Sequence, residues 1–320
     1  MFSDPISLPF PTLMTPAEFQ LEPLASRTLI PPVLRIALPN KGRLAQDTRD
    51  LFNDAGLEVR ASSDRALKAS LGADFEAIFV RAQDIPEFVS DGAADAGVTG
   101  LDLIAENRRG VVSRLDLGFG KCRLSMAARE ESGVDDFCQL PPRSRIATAF
   151  PNITARFCAE AGLDLEIVPI SGAAEIAPHL GIADVIVDLV STGSTLKTNG
   201  LREIGTIMQS TAQLVVAENR TAWPAAKETA LQELCTALES VTSARGQRYL
   251  MANVPRDRLD EVRQVLPGLN GPTVIDVLDG GRHVAVHAVV AASAIYRTIA
   301  DLKAIGGEGI LVTRIERLMR

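Results

Sequence analysis

The sixteen residues GIADVIVDLVSTGSTL, positions 181–196, decide the fold. Their first half is a nearly continuous apolar run with β-branched residues, the pattern of a strand buried on both faces. Their second half is small, hydroxylated and glycine-bearing, and a helical pattern starts at Ser194. A strand that passes through such a loop into a helix aims successive backbone N–H groups at one point, a geometry that binds anions. Asp188 sits at the carboxyl end of the strand, where its carboxylate could hold a ribose hydroxyl or a metal-bound group. Taken alone, the same loop is also compatible with an ordinary strand–helix turn.

Working outward, 33–38 reads as a first strand, followed by a loop carrying Lys41, Gly42 and Arg43. A helix over 44–55 comes next, stopped by Gly56. Cations at the carboxyl end of a first strand lie where an open α/β sheet places its ligand. Residues 77–80 form another strand ending at Arg81. Asp84 and Glu87 then look like a capping box opening a short helix. Small residues make 95–100 a strand that something can approach closely, and 101–106 continues as a helix. Strand–helix alternation of this kind predicts a parallel, helix-covered sheet.

Gly118 and Gly120, between strand-like runs, suggest a crossing into a second lobe. There 145–149 is a strand, a helix runs from Pro151 to Gly162, and 165–170 is a strand. A short helix over 172–180, with Glu175 on it, leads into the central stretch. Residues 203–209 and 213–217 return as strands, and 224–247 is a long amphipathic helix with Leu231, Leu234, Leu238 and Val241 on one face. Two such lobes suggest a hinged cleft like that of periplasmic binding proteins. From 249 onward the rhythm changes to β-α-β-β-α-β, the ferredoxin-like order. The expected division is a disordered arm over 1–32, lobe I over 33–124 with 212–245, lobe II over 125–211, and a ferredoxin-like module of the regulatory ACT type over 246–320.

Composition narrows the function. A net charge of -7 argues against broad nucleic-acid binding, which needs a basic face. Four scattered cysteines without a C-x-x-C pair read as reduced thiols of a cytoplasmic protein, and a count of only three histidines argues against a histidine-rich metal cluster. No apolar run is long enough to span a bilayer. Residues 1–32 hold seven of the eighteen prolines and no Lys or Arg before Arg27, which is not the pattern of a secretory signal.

The stretch from Glu175 to Leu196, E-x5-G-x-A-D-x-I-x-D-L-x-S-T-G-S-T-L, resembles the signature of the ATP phosphoribosyltransferase family. So do RIALPNKGRL from Arg35, RIATAFPN from Arg145, the Asp84-Ile85-Pro86 and Leu117–Gly120 segments, and Asn199 to Arg202. The C-terminal Pro267-Gly268-Leu269, Pro272-Thr273-Val274 and Val284 to His287 resemble the regulatory domain of the family's long form. Coverage runs from about residue 33 to the end.

This resemblance implies transfer of the 5-phosphoribosyl group of phosphoribosyl pyrophosphate (PRPP) to N1 of ATP's adenine, the first step of histidine biosynthesis, with Mg²⁺ required. Asp188 and Glu175 would be the catalytic carboxylates. Asp188, Ser191, Thr192, Gly193, Ser194 and Thr195 would bind PRPP, and Lys41, Arg43 and Arg81 would meet ATP. Magnesium would be held mostly by the substrates. Histidine would bind as an allosteric inhibitor near Asn253, Thr273 and Ala288. The family further implies a dimer or hexamer, no nucleic-acid or membrane partner, and no separate regulatory subunit. The competing reading is a two-lobed small-molecule binding protein without catalysis.

Overall fold

The computed structural model describes residues 34–61 and 66–319; the expected N-terminal arm and Val33 of the expected first strand lie outside them. The chain begins with β1 (Leu34–Pro39), α1 (Ala45–Asp54), β2 (Arg60–Ala61), β3 (Lys68–Ser70) and β4 (Phe75–Val80). It continues through α2 (Ile85–Ser90), β5 (Ala96–Gly100), α3 (Leu101–Asn107) and β6 (Val111–Asp116). Next come β7 (Cys122–Arg129), β8 (Arg145–Thr148), α4 (Pro151–Ala161), β9 (Glu166–Pro169), β10 (Val185–Val190), α5 (Ser194–Thr198) and β11 (Leu201–Ser210). The chain then returns as β12 (Ala212–Ala217) and the long α6 (Ala225–Ala244).

These strands form two sheets. The first has the order β2-β3-β4-β1-β5-β12-β6 and the second β11-β7-β10-β8-β9. In the first, β1 runs parallel to β4 and β5, and the returning β12 runs antiparallel to β5 and β6. In the second, β8, β9 and β10 are parallel while β7 and β11 run against them. The sheets therefore separate at residues 117–121 on the way out and at Thr211 on the way back. Gly120 sits in the outward crossing at φ +63°, and a Cβ there would lie 2.4 Å from Leu44 Cδ2. A side chain at Gly120 would therefore have to displace Leu44, besides adopting a conformation that residues with a β-carbon rarely take.

The amphipathic reading of α6 explains the first lobe's core. Leu231, Leu234, Leu238 and Val241 are all buried in one cluster with Leu34 and Ile36 of β1 and Leu51 and Phe52 of α1. Burying each such side chain contributes roughly 1.5–3 kcal/mol. In lobe II, Leu124, Met126, Ile146, Val185 and Val187 form a second cluster, against which Leu103 and Ala105 of α3 pack. Helix α3 thus follows lobe I in sequence but rests partly on lobe II.

The remaining chain is β13 (Gln247–Pro255), α7 (Leu259–Val265), β14 (Thr273–Asp276), β15 (His283–Ala291), α8 (Ile295–Ala304) and β16 (Glu308–Arg314). Its sheet order, β14-β15-β13-β16, with every adjacent pair antiparallel, is the ferredoxin-like arrangement. The module is attached twice. Arg245, the C-cap of α6, lies 5.8 Å over the Phe119 ring in the outward crossing. Beyond β16, Arg317 Nη2 donates to Asp54 O at 3.4 Å and Leu318 N–H donates to Ser240 O at 2.8 Å, so the final segment returns to α1 and α6.

Several local expectations needed correction. The helix expected over 172–180 is only a 3-10 turn, Ala174–Ile176. Pro178 lacks an N–H for helix continuation, and Ala173 enters the turn at φ +51°. Asp84 makes no side-chain cap, because its backbone is already helical (φ -89°, ψ -15°) rather than extended. Each helix of the C-terminal module is preceded by a 3-10 turn (Arg256–Arg258 and Ala292–Ala294). The short β2 and β3 went unread.

Candidate active site

Val185, Ile186 and Val187 are buried between β7 and β8, which carries Asp188 to the carboxyl end of the parallel strands. There the chain turns through Ser191, Thr192 and Gly193 into α5. Gly193 caps this helix at φ +80°, a conformation that side chains with a β-carbon rarely adopt. Ser194 N–H donates to Thr192 Oγ1 at 3.4 Å, and the two hydroxyl oxygens lie 3.0 Å apart. The hydroxyl-bearing residues of the loop, Ser191, Thr192, Ser194 and Thr195, are all exposed.

A cavity of about 140 Å³ opens at this point, walled by Glu175, Asp188, Ser191, Thr192, Gly193 and Thr195. The structure thus brings the two carboxylates expected from the sequence to the hydroxyl-rich loop; Ser194 stands just behind, paired with Thr192. Asp188 Oδ1 accepts a 2.7 Å hydrogen bond from Leu189 N–H. Burial, followed by the negative charge of Glu175, pushes the Asp188 carboxyl above its ordinary range, and the Leu189 bond only partly offsets this.

One residue beside the loop escaped the sequence reading. Arg123 of β7 donates from Nε to Glu203 Oε2 of β11 at 2.7 Å, makes a second contact from Nη2 to Glu203 Oε1, and donates from Nη1 to Ser191 O at 3.3 Å. This fork holds the Glu203 carboxyl below the usual carboxylate range. The contact depends on the irregular β7–β11 register, which shifts twice, and no spacing in the sequence announces it.

The ATP-side candidates divide. Arg81 is exposed on a cleft of about 940 Å³ between the lobes, with Asp84 and Glu87 beside it and Thr148, Phe150 and Ser171 opposite. Lys41 is exposed on the loop after β1. Arg43 is exposed as well, but its head group is engaged within the protein. Its guanidinium contacts Gly120 O in the crossing and lies 3.8 Å from Oδ1 of the buried Asp102, which also accepts from Ser210 Oγ at 2.5 Å. Arg43 therefore ties the β1 loop to the hinge.

In the C-terminal module, Asn253 and Thr273 share the sheet face away from the helices with His287, whose Nδ1 is 2.6 Å from Tyr249 Oη. Ala288 is on the opposite face, buried against the module's core with Leu250. The structure brings the first two together and not the third. Among the described residues no group of three or more His, Cys, Asp or Glu side chains is placed to hold a metal ion, and no helix is long and apolar enough to cross a membrane.

Two family profiles cover this architecture in succession: ATP phosphoribosyltransferase over residues 81–240 and the HisG C-terminal domain over residues 244–317. The ATP phosphoribosyltransferase of Gemmatimonas aurantiaca is 66% identical over 294 residues, spanning 90% of this chain and 100% of its own. The chain belongs to the ATP phosphoribosyltransferase family. The Halorubrum lacusprofundi member is 44% identical over 301 residues, covering 89% of this chain and all of its own. Among solved structures, a chain titled the ATP phosphoribosyl transferase (HisG:HisZ) complex from Thermotoga maritima superposes with a TM-score of 0.55 at 29% identity, over 65% of this chain and 99% of that one. Family membership makes this protein a glycosyltransferase-type enzyme of the first step of histidine biosynthesis. Its C-terminal module is a HisG C-terminal domain and its core is the two-lobed α/β kind.

Proposed function

We propose that the loop after β10 holds the 5-phosphate of PRPP and that the cleft between the lobes receives ATP. The observation that carries this reading is the convergence of Asp188, Glu175 and the hydroxyls of Ser191, Thr192 and Thr195 on one cavity at the carboxyl ends of parallel strands. Exposed hydroxyls and a glycine-turned backbone suit a phosphate. Adenine N1, unprotonated at neutral pH, attacks C1 of PRPP; the C1–N1 bond forms while the C1–O bond breaks, and pyrophosphate leaves with the electron pair. Positive charge gathers on the ribose during this displacement. The Asp188 carboxylate offsets it and accepts hydrogen bonds from ribose hydroxyls, while Glu175 stands close enough to share the second task. No general base is needed before attack, so positioning dominates.

Lys41 and Arg81 meet the phosphates of ATP, and Arg43 keeps the β1 loop in shape. Two carboxylates without a third ligand fit a magnesium ion that would be held largely by pyrophosphate oxygens, and Asp188 and Glu175 are the residues that would complete its shell. The ion would neutralise charge on the leaving group. In this reading histidine binds the C-terminal module at the open sheet face near Asn253 and Thr273, inhibits from there in a cytoplasmic homo-oligomer, and no separate regulatory subunit takes part. The purified protein mixed with ATP, PRPP and Mg²⁺ should develop a new ultraviolet chromophore that requires both substrates. Binding of PRPP without any product would return the protein to the binding-only reading.

A further inference from the structure

Helix α4 starts without a capping side chain of its own. Phe150 occupies the N-cap, and Pro151 has no N–H. The first two free donors of the helix are met instead from the other lobe. Asn152 N–H donates to Glu106 Oε1 at 2.9 Å and Ile153 N–H donates to Glu106 Oε2 at 3.0 Å. The Asn152 side-chain amide reciprocates, donating to Glu106 O at 3.0 Å, and Arg108 Nη2 reaches Asn152 O at 3.3 Å. Glu106 is the penultimate residue of α3. A carboxylate thus caps a helix across the cleft, completing with both oxygens what a local Ser or Asp ordinarily does with one. The contact is supported beneath by Leu103 and Ala105 packed on the lobe II core.

Its location gives it consequence. Glu106, Phe150 and Pro151 all line the large cleft, together with Arg81. The loops after β8 and β10 open at the same end of their parallel strands. The negative carboxylate already fills the anion-attracting start of α4, leaving the loop after β10 as the open phosphate cradle. The lobes are also joined by the crossings at 117–121 and Thr211 and, beside Thr211, by Ser210 Oγ of β11, which accepts from Asp102 N–H at 3.1 Å and donates to Asp102 Oδ1 at 2.5 Å. The Glu106 cap adds a third point of contact, four residues along α3 from Asp102.

We propose that Glu106 is a positioning residue for phosphoribosyl transfer, holding α4 from α3 so that the ATP-facing lobe meets the PRPP loop at the reactive angle. This rests on the reading above, in which opposite lobes hold the two substrates. In that reading the 5-phosphate of PRPP sits on lobe II, so its affinity should change little with the cap, whereas transfer needs both lobes. Glu106→Gln, in the full chain, retains one acceptor oxygen and turns an amide NH₂ toward a backbone donor.

The test combines three measurements on Glu106→Gln, on Asn152→Ala and on the double variant. Hydrogen exchange across residues 101–108 and 150–156 reports the cap itself, with or without any reaction. Calorimetric titration reports PRPP affinity, and steady-state kinetics report turnover. The expected result for Glu106→Gln is faster exchange in both segments, PRPP affinity within twofold of the parent, and kcat lower by about tenfold. Asn152→Ala, which keeps both backbone donors, should give the same pattern more weakly, and the double variant should be little worse than Glu106→Gln. Normal kcat despite faster exchange would overturn the proposal. Parallel losses of PRPP affinity, kcat and melting temperature would also overturn it, by reducing the cap to general stability. A parent protein that fails to bind PRPP would instead remove the underlying substrate assignment, while exchange would still read the cap. Should Glu106→Gln not fold, Asn152→Ala alone decides between the same outcomes.

Discussion

Glu175 stands beside Asp188 at the end of β10, and its negative charge adds to burial in holding the Asp188 carboxyl above the ordinary carboxylate range. The two groups are therefore poised for a ligand that brings positive charge. A folded-state pKa raised above the unfolded value gives stability that is fully present below the unfolded value, near about 4, and is lost as pH rises through the folded value. At neutral pH the ionised Asp188 thus works against the fold.

Replacing it should separate stability from activity. Asp188→Asn keeps an oxygen for Leu189 N–H but removes the charge. We expect turnover to fall by roughly 10²–10³, while the melting temperature at pH 7 rises slightly. That gain should shrink as pH is lowered through the carboxylate range. Steady-state kinetics beside melts at several pH values check this, and near-normal turnover with a lowered melting temperature would sink the catalytic role.

At Gly193 the backbone is at φ +80°, while a Cβ would find its nearest neighbour, Glu203 Oε1, at 3.6 Å. Conformation rather than crowding is the obstacle. Gly193→Val should abolish measurable PRPP binding and leave a soluble protein of unchanged oligomeric state. Gly193→Ala, equally strained but small, should weaken binding less. Unchanged affinity for PRPP in the valine variant, measured by titration calorimetry, would put the phosphate elsewhere.

Arg123→Met should raise the KM for PRPP about tenfold. The variant leaves Glu203 without its fork and removes the donor to Ser191 O, so the loop loses its brace from β7. Stability should fall by about 1–3 kcal/mol, the range for stranding a partly buried polar partner. A normal KM with lowered stability would confine Arg123 to folding.

Histidine, in the proposed regulation, should inhibit without competing with PRPP, because a coupling between distinct sites typically amounts to about 1–3 kcal/mol and acts through the shared protein. Asn253→Ala should weaken the inhibition and leave uninhibited kcat unchanged. Ala288, buried on the far face, should matter only through packing. Inhibition overcome by saturating PRPP would place histidine in the catalytic cleft.

The sequence carried the elements whose causes are local. The apolar run ahead of Asp188, the glycine-turned loop behind it and the heptad-like leucines of α6 each announce their own structure. Residues 172–180 read as a helix, but Pro178 has no N–H with which to continue one and Ala173 enters at φ +51°. Arg43 shows the other limit. Its place in a cationic loop suggested a phosphate, but its partners, Gly120 and Asp102, are brought to it by the packing of two crossings around a strand end. Arg123 and Glu106 were missed for the same reason: each acts on a partner some 46 to 80 residues away, through a register or a lobe contact that no spacing encodes.

The double attachment of the C-terminal module has a mechanical meaning. A module hung from one linker can turn freely, and a twist within it dissipates in the tether. Here one anchor, Arg245, presses on Phe119 in the segment about which the lobes would bend, and the other, through Arg317 and Leu318, grips α1 and α6. A rotation of the four-stranded sheet would therefore load α6 and the crossing together, in the manner of a crank held at both bearings. The leverage falls on the same segment whose Gly120 carbonyl receives Arg43, so strain entering at the sheet would arrive at the β1 loop and Lys41.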